Sequence, residues 1–593
     1  MKIKNIANWN FSLPMENLLF FANLIDEMTF NYTLDSFKAS VHNVFSLIRE
    51  CIETIDDIED ETIKKGSLPP ITEEIKDTID KDPIINEVML TNGLDLVVSK
   101  IDGNTKPGEL KLVLEMFLAV PIIQQYNDCV KRKLADLIKT ASPQKENIEK
   151  LSRLFVAQMK YMGLPNASIH KKNKDFFFGR NSSIHSANDI DAFFSLFDLN
   201  DQKYTVCLFG NHLYSYLKFA GQPVDIDIRN NFNLSQWDPN LAWLNNVMPN
   251  KGQYIFIETQ AYDEYHALLR SMKRIAHFTS LYSFFHHKNS FKFIREECVI
   301  RRNSDGAISI INSPMPVIMA CKDVWPSVAS TYYQQTISGV NLEINSLERF
   351  IRSVRLHDSA KKSEHMENQF LNLFTAFEVL IPKDVDSGKD RILQIIDILI
   401  PYLCQNHFQK LAVSFGQDLK LWNNALYTSI LAQITDGNTD DEKLCALICL
   451  TKYQNQRDQI FQATTGANYY LLRYRLWKLN DRMGNIQSIR STFLRFEKRM
   501  RWHVTRLYRT RNLIVHAGAH PKYLNMLLEN IHSFYDTFMR ELISDVSTQR
   551  MLKLEYSFLI RQQRYNKYLA YLDSLALTLT IDENNFLQVL GIK

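Results

Sequence analysis

The sequence predicts a mainly α-helical chain of several domains. Three observations carry that expectation. The chain has 593 residues, and at about 100–200 residues per domain that is room for three or four. Gly and Pro are scarce, at 18 and 17 residues, which disfavours a turn-rich sandwich or barrel. Apolar residues recur at helical spacing over long stretches, and with 45% of residues hydrophobic large cores can be buried.

Residues 1–160 read as a helical N-terminal region with polar breaks. Lys-Lys-Gly-Ser-Leu-Pro-Pro (64–70) and Asp-Gly-Asn-Thr-Lys-Pro-Gly (102–108) are loop signals. Residues 161–335 read as a small mixed α/β region, a candidate sensor. Tyr204–Phe209 and Tyr254–Ile257 are short β-branched and aromatic runs. Cys298–Arg302 and Ala307–Ile311 flank Asn-Ser-Asp-Gly, a hairpin turn. The region contains neither GxGxxG nor GxxxxGK[ST], so phosphate-loop nucleotide hydrolysis is not expected. Residues 336–550 are helical again. Phe370, Phe374, Phe377 and Leu380–Ile381 form one apolar stripe, and Leu524, Leu527, Ile531, Phe534, Phe538 and Leu542 form another, as core or dimer seam. An inserted segment, roughly 383–485, separates them, and 551–593 adds C-terminal helices.

Net charge is only +3, but its distribution is uneven. Acids dominate from Glu53 to Glu87, whereas from Arg490 to Arg511 eight cations face one acid, Glu497. Such asymmetry suggests a local polyanion site. None of the eight cysteines forms a CxxC pair, and Cys445 and Cys449 read as buried thiols. No disulfide framework is expected, which fits a reducing cytoplasm. Glu16, Asp26 and Glu27 interrupt the first apolar run, so no signal peptide is expected. No run of about 20 uninterrupted apolar residues exists, so no membrane partner is expected either. Histidines such as His277, His286 and His287 show no Cys or carboxylate at ligand spacing, and HExxH is absent. No metal site and no cofactor are expected.

The chemistry concentrates in residues 493–521, which read as one long helix stopped by Gly518 and Pro521. Phe493, Phe496, Met500, Val504, Leu507 and Ile514 form its apolar stripe, and Arg511 falls on it. A buried arginine needs a carboxylate or a phosphate. His516 follows five positions later and can exchange protons near neutrality. Arg511 offers a fixed fork of donors to phosphate oxygens, and Asn512 can hold a further oxygen or orient the histidine. Together these groups suit transesterification of RNA by its own 2′-hydroxyl. Arg495, Arg499, Arg506 and Arg509 are candidate RNA-guiding residues, with Trp502 and Tyr508 as stacking neighbours.

Arg-Asn-x-x-x-His resembles the Arg–polar–x3–His signature of the HEPN superfamily. Leu-Tyr-Arg-Thr-Arg-Asn-Leu-Ile-Val-His-Ala-Gly (507–518) resembles its Apea-like branch. Phe-Leu-Asn-Leu-Phe-Thr-Ala-Phe-Glu-Val-Leu (370–380) is similar to that branch's first core helix, whose glutamate matches Glu378. The resemblance covers about residues 340–545. It implies a C-terminal helical bundle, a homodimer that brings two motifs into one cleft, and metal-independent cleavage of RNA, tRNA included. Many relatives act as toxins or in anti-phage abortive infection, so a phage-derived trigger is an implied partner. The long insertion departs from the pattern, and residues 1–330 match no named family.

Spacing alone is weak, since an Arg and a His five apart arise about once by chance in such a chain. Arg180–His185 and Arg352–His357 repeat it. The first lies in a Ser/Asn-rich loop, and the second lacks the polar residue after Arg. Two other functions compete: a non-catalytic HEPN dimerisation or RNA-binding scaffold, and a phage sensor whose first 330 residues restrain the nuclease.

Overall fold

A computed structural model describes residues 4–30, 42–61, 63, 65–92, 95–118, 120–180, 182–218, 225–246, 252–283, 285–286, 288–314, 317–321, 323, 325–382, 390–521, 523–577 and 579–592. Lys64, Asn181, His287 and residues 383–389, named above, lie outside them. The fold is mainly helical, with one small antiparallel sheet. No helix among the described residues is long and apolar enough to cross a membrane. The chain forms two compact units: Met1–Ala157 with Pro316–Lys593, and Gln158–Met315.

The second unit holds the sheet. Its strands β1 (Gln202–Gly210), β2 (Ile226–Arg229), β3 (Gln253–Ala261), β4 (Glu297–Arg302) and β5 (Ile308–Asn312) lie in the order β2-β3-β1-β4-β5. Strand alternation sends residues to opposite faces. Val206, Leu208, Ile255 and Ile257 pack with the Glu264–Ser283 helix through Ala267, Leu268 and Ile275. Cys207, Phe209, Tyr254 and Phe256 pack instead with Leu234, Leu241 and Leu244. The Asn-Ser-Asp-Gly turn closes β4 on β5, with Arg301 opposite Ile308 and Gly306 at φ 73°. That left-handed backbone suits glycine. Arg180 and His185 are exposed on the loop before the Asp189–Ser195 helix, and the His185 backbone N–H donates to Asp189.

The first unit is built on one large core. It joins the helices Met366–Leu380, Arg391–Cys404, Ile486–Asn512, Leu524–Thr548 and Leu554–Ser574. Both apolar stripes read from the sequence are buried in it, so Leu524 to Leu542 is core and not a dimer seam. The inserted segment belongs to the same core through Ile395, Leu399, Phe408, Phe415, Leu472 and Leu476.

The sequence expectation set residues 1–160 apart. The structure folds residues 1–157 instead into one unit with the C-terminal helices, and buried ion pairs stand at the joints. Arg475 meets Glu27 at 3.2 Å and Asp418 at 2.5 Å. Glu149 binds Lys478 and accepts from the Tyr474 hydroxyl at 2.8 Å. Glu50, on the Val44–Glu59 helix, binds Arg506 at 3.0 Å and also Arg509. Arg506 is fully buried, and Glu74 of the Leu68–Lys81 helix is its second carboxylate. Removing one partner of such a pair strands the other charge in low dielectric. Glu50→Ala is therefore expected to lower unfolding free energy by about 3–5 kcal/mol, read by denaturant titration. A loss below about 1 kcal/mol, the scale of a surface pair, would remove this cluster as the anchor of the N-terminal helices.

Candidate active site

The motif helix, Ile486–Asn512, starts at Asn485, whose side chain accepts from the Ser488 backbone N–H at 2.8 Å. Such a cap satisfies one of the free donors of the first turn. Arg509 and Arg511 occupy the last turn, where positive charge complements the helix dipole. Beyond Asn512 the backbone widens into a π turn over Leu513–Ala517, and Gly518 ends it at φ 62°. The sequence expectation of one helix to this glycine is thus met by two kinds of turn. The difference matters for geometry. Residues five apart on an α-helix point about 140° from one another, whereas a turn closed by i→i+5 bonds reduces that angle. A π turn at this point therefore narrows the angle between positions 511 and 516 relative to a continuous α-helix.

Arg511 is half-buried at the edge of the core. One guanidinium nitrogen lies 3.6 Å from Glu378 Oε2, and the other donates to Asn512 Oδ1 at 3.1 Å. Glu378 sits in the last turn of the Met366–Leu380 helix, where the dipole disfavours a carboxylate. The Arg511 cation offsets that cost. Arg391, at the start of the inserted segment, donates to the carbonyls of Glu378, Ile381 and Pro382, capping the end of that helix. His516 is exposed on the π turn. His520, four residues on, lies 3.1 Å from Glu367 in the first turn of the Glu378 helix.

The basic run behaves differently from the sequence expectation. Arg506 and Arg509, expected to guide RNA, are buried against Glu50, and Arg506 also against Glu74. No nucleic acid reaches a guanidinium in that position. Trp502, expected to stack a base, is buried and donates its indole N–H to Glu73 at 3.0 Å. Tyr508 packs on the core beside Phe374, and Phe496 stacks on His407 at 3.7 Å. Lys498 pairs with Glu73, Arg490 with Asp573 and Arg501 with Glu497. The acidic and basic segments noted in the sequence meet in the ion pairs of Lys498 with Glu73 and Arg506 with Glu74. Arg495 and Arg499 are exposed on the motif helix.

A recess lies beside the motif, lined by Glu50, Glu53, Asp57, Arg509, Leu513 and Tyr523 among others. Burial, then Asp56 and Asp60, push the Asp57 carboxyl above its ordinary value. Sequence reasoning missed one further cluster. His357 of the second Arg–His pair turns inward to His532 and Asp536. The i, i+4 spacing of His532 and Asp536 was a legible signal. No protein-family model, curated protein or solved structure matches this chain.

The buried cluster sets a pH dependence. Burial, with Arg506 beside it, pushes the His503 imidazole down to about 3, and the same causes hold His42 well below 6.5. Both stay neutral in the fold and protonate near 6.5 when the chain unfolds. The unfolded chain then binds more protons, so stability falls as pH drops below about 6.5. Glu50 acts in the same sense at lower pH. Burial would raise its pKa, but Arg506 and Arg509 prevail and hold it far below the carboxylate range. Its contribution is present above about 4.5 and is lost as pH falls toward the folded value. Melting temperature is expected to fall between pH 7.5 and 5, less steeply in His503→Gln. An unchanged melting temperature across that range would contradict the assignment.

Proposed function

We propose that this chain is a HEPN-type endoribonuclease acting through Arg511, Asn512 and His516. The observation that carries the proposal is the Arg511–Glu378 ion pair. Arg511 was expected from its place on the apolar stripe and Glu378 from resemblance, in separate stretches of sequence, and they lie 3.6 Å apart across two core helices. Glu378 and Asn512 fix the guanidinium in position, and His516 stands exposed beyond it. A ribose 2′-hydroxyl attacks the adjacent phosphorus and gives up its proton, the 5′-oxygen leaves with a proton, and a 2′,3′-cyclic phosphate and a 5′-hydroxyl result. Arg511 stabilises the charge that develops on the phosphorane oxygens. His516 serves the proton transfers.

Base and acid act on opposite sides of the phosphorus, so a second copy of the motif completes the site. An exposed apolar stripe supports a homodimer. Ile344, Leu347, Ile351 and Val354 on the Ile344–Lys362 helix are 75%, 37%, 40% and 43% exposed. Their 3-4-3 spacing is a helix–helix seam. Trp325, Tyr332, Tyr333 and Ile337, on or beside the Pro326–Gly339 helix, are exposed as well. A self-complementary patch suits a two-fold contact. Anti-phage or toxin action in the cytoplasm, with a phage-derived trigger, follows from the same resemblance. The acid-lined recess beside Leu513 suits a nuclease held in check, because its carboxylates repel a phosphate backbone.

Induction of the wild-type protein followed by sequencing of RNA ends is expected to show new 5′-hydroxyl ends without added divalent cation. His516→Ala and Arg511→Ala are expected to lower cleavage by about 10²–10⁴-fold. Loss of the exposed His516 leaves the melting temperature unchanged, whereas loss of Arg511 lowers it slightly because Glu378 loses its partner. Undiminished cleavage by the folded double variant would refute the nuclease assignment. Unchanged biological activity in His516→Ala would favour the scaffold function. Separately, Ile351→Asp is expected to turn a dimer into a monomer by light scattering and to reduce cleavage. A wild-type monomer would exclude the composite site.

A further inference from the structure

The Ile344–Lys362 helix touches the Leu524–Thr548 helix through Ser353 with Tyr535 and through His357 with His532. Where they meet, the Nε2 atoms of His357 and His532 lie 3.3 Å apart. Asp536, one turn beyond His532, places Oδ2 3.7 Å from His532 Nδ1. One ligand atom from each of the three residues can be chosen so that all lie within 4.8 Å of one another. The rings are held in place by their packing. His357 stacks flat on Tyr535, at 5.0 Å and 9°. The Tyr535 hydroxyl in turn lies 2.9 Å from Ser353 Oγ, which donates to the Ala376 carbonyl.

We propose that His357, His532 and Asp536 form a binding site for a divalent transition-metal ion, zinc above all. A tetrahedral zinc ion binds imidazole nitrogens at about 2.0–2.1 Å, which sets two such nitrogens about 3.3 Å apart. The two Nε2 atoms already have that separation. The nitrogen-and-oxygen donor set suits zinc, cobalt or nickel better than magnesium or calcium, which prefer all-oxygen shells. Asp536 has two ways to contribute. It can complete the ligand set, or accept from His532 Nδ1 and fix the tautomer that presents Nε2. Asp323 and Lys361 also act on the site, the former raising and the latter lowering the proton affinity of His532. Arg540 acts on Asp536 as well, so the two imidazoles are faced by two carboxylates, Asp536 and Asp323, and two cations, Lys361 and Arg540.

An ion here would pin the Ile344–Lys362 helix to the core. That helix carries the exposed stripe of Ile344, Leu347, Ile351 and Val354 on its other side. The metal would therefore be structural, setting the orientation of the seam. The proposal stands without the nuclease assignment, since none of the three ligands belongs to the Arg–His motif.

The test uses the full chain, stripped of metal with a chelator and titrated with Co²⁺ followed by Zn²⁺. One equivalent of Co²⁺ is expected to bind, with visible d–d bands that Zn²⁺ abolishes, and the melting temperature is expected to rise with zinc. His532→Gln is expected to weaken binding more than about 100-fold and Asp536→Asn about 10-fold or more. Asp536 is partly exposed, so that variant keeps its fold. X-ray absorption of the zinc-loaded wild type needs no variant, and two imidazoles in the inner shell are expected. Absence of saturable binding, binding undiminished in folded His357→Gln/His532→Gln, or sulfur in the inner shell would each overturn the site. The two nitrogens would then share only a hydrogen bond.

Discussion

The arrangement of the larger unit depends on one buried carboxylate. Glu50 lies between Arg506 and Arg509, and Arg506, with no exposed surface, needs Glu74 as well. Burial works against every charge in this cluster. It works on the carboxylates too: Glu50 stays ionised, but Glu74 is pushed above its ordinary range by burial and by Glu50. A cation as deeply buried as Arg506 is tolerable only with its partners in place. The N-terminal helices cannot therefore separate from the motif helix without leaving Arg506 unpaired. The same contact neutralises two of the eight cations that the sequence places on this helix, Arg506 and Arg509.

That constraint divides the motif helix along its length. Arg506 and Arg509 look toward the N-terminal helices and are spent on structure. Two residues later Arg511 looks the other way, toward Glu378, and stays half-buried. The π turn then carries His516 to the surface. The helix is thus anchored at one face, holds Arg511 by Glu378 and Asn512, and ends in a turn on which His516 is exposed. Rigid positioning of groups that stabilise charge is what phosphoryl chemistry requires of a protein. The inserted segment takes part, since Arg391 holds the carbonyl end of the helix that bears Glu378. The N-terminal helices touch the same motif helix through Glu50, Glu73 and Glu74.

Much of this was legible in the sequence where the signal was local. Stripes at 370–381 and 524–542 foretold buried helix faces, because a 3.6-residue period reports which side is apolar. Asn-Ser-Asp-Gly foretold the β4–β5 hairpin, and Gly518 the end of the motif, because each needs only its own backbone. The pair Arg511 and Glu378 was legible through resemblance. The fate of Arg506 and Arg509 was not, because their spacing and composition match those of a solvated basic face. Nor was the meeting of His357 with His532, 175 residues apart, although His532 and Asp536 one turn apart were in plain view.

The sequence by itself determined the helical class, the small sheet, the end of the motif helix and the candidates for its chemistry. Those follow from short-range sterics, capping and periodicity, which each segment carries within itself. Only the tertiary structure decided that Arg506 and Arg509 are buried in ion pairs while Arg495 and Arg499 stay exposed. It also decided that residues 1–157 and 316–593 form one body, and that two distant histidines face each other. The physical reason is that a charge is defined by its partner. A fully buried guanidinium such as Arg506 must be met by a carboxylate, and that carboxylate, Glu50, lies more than 400 residues away.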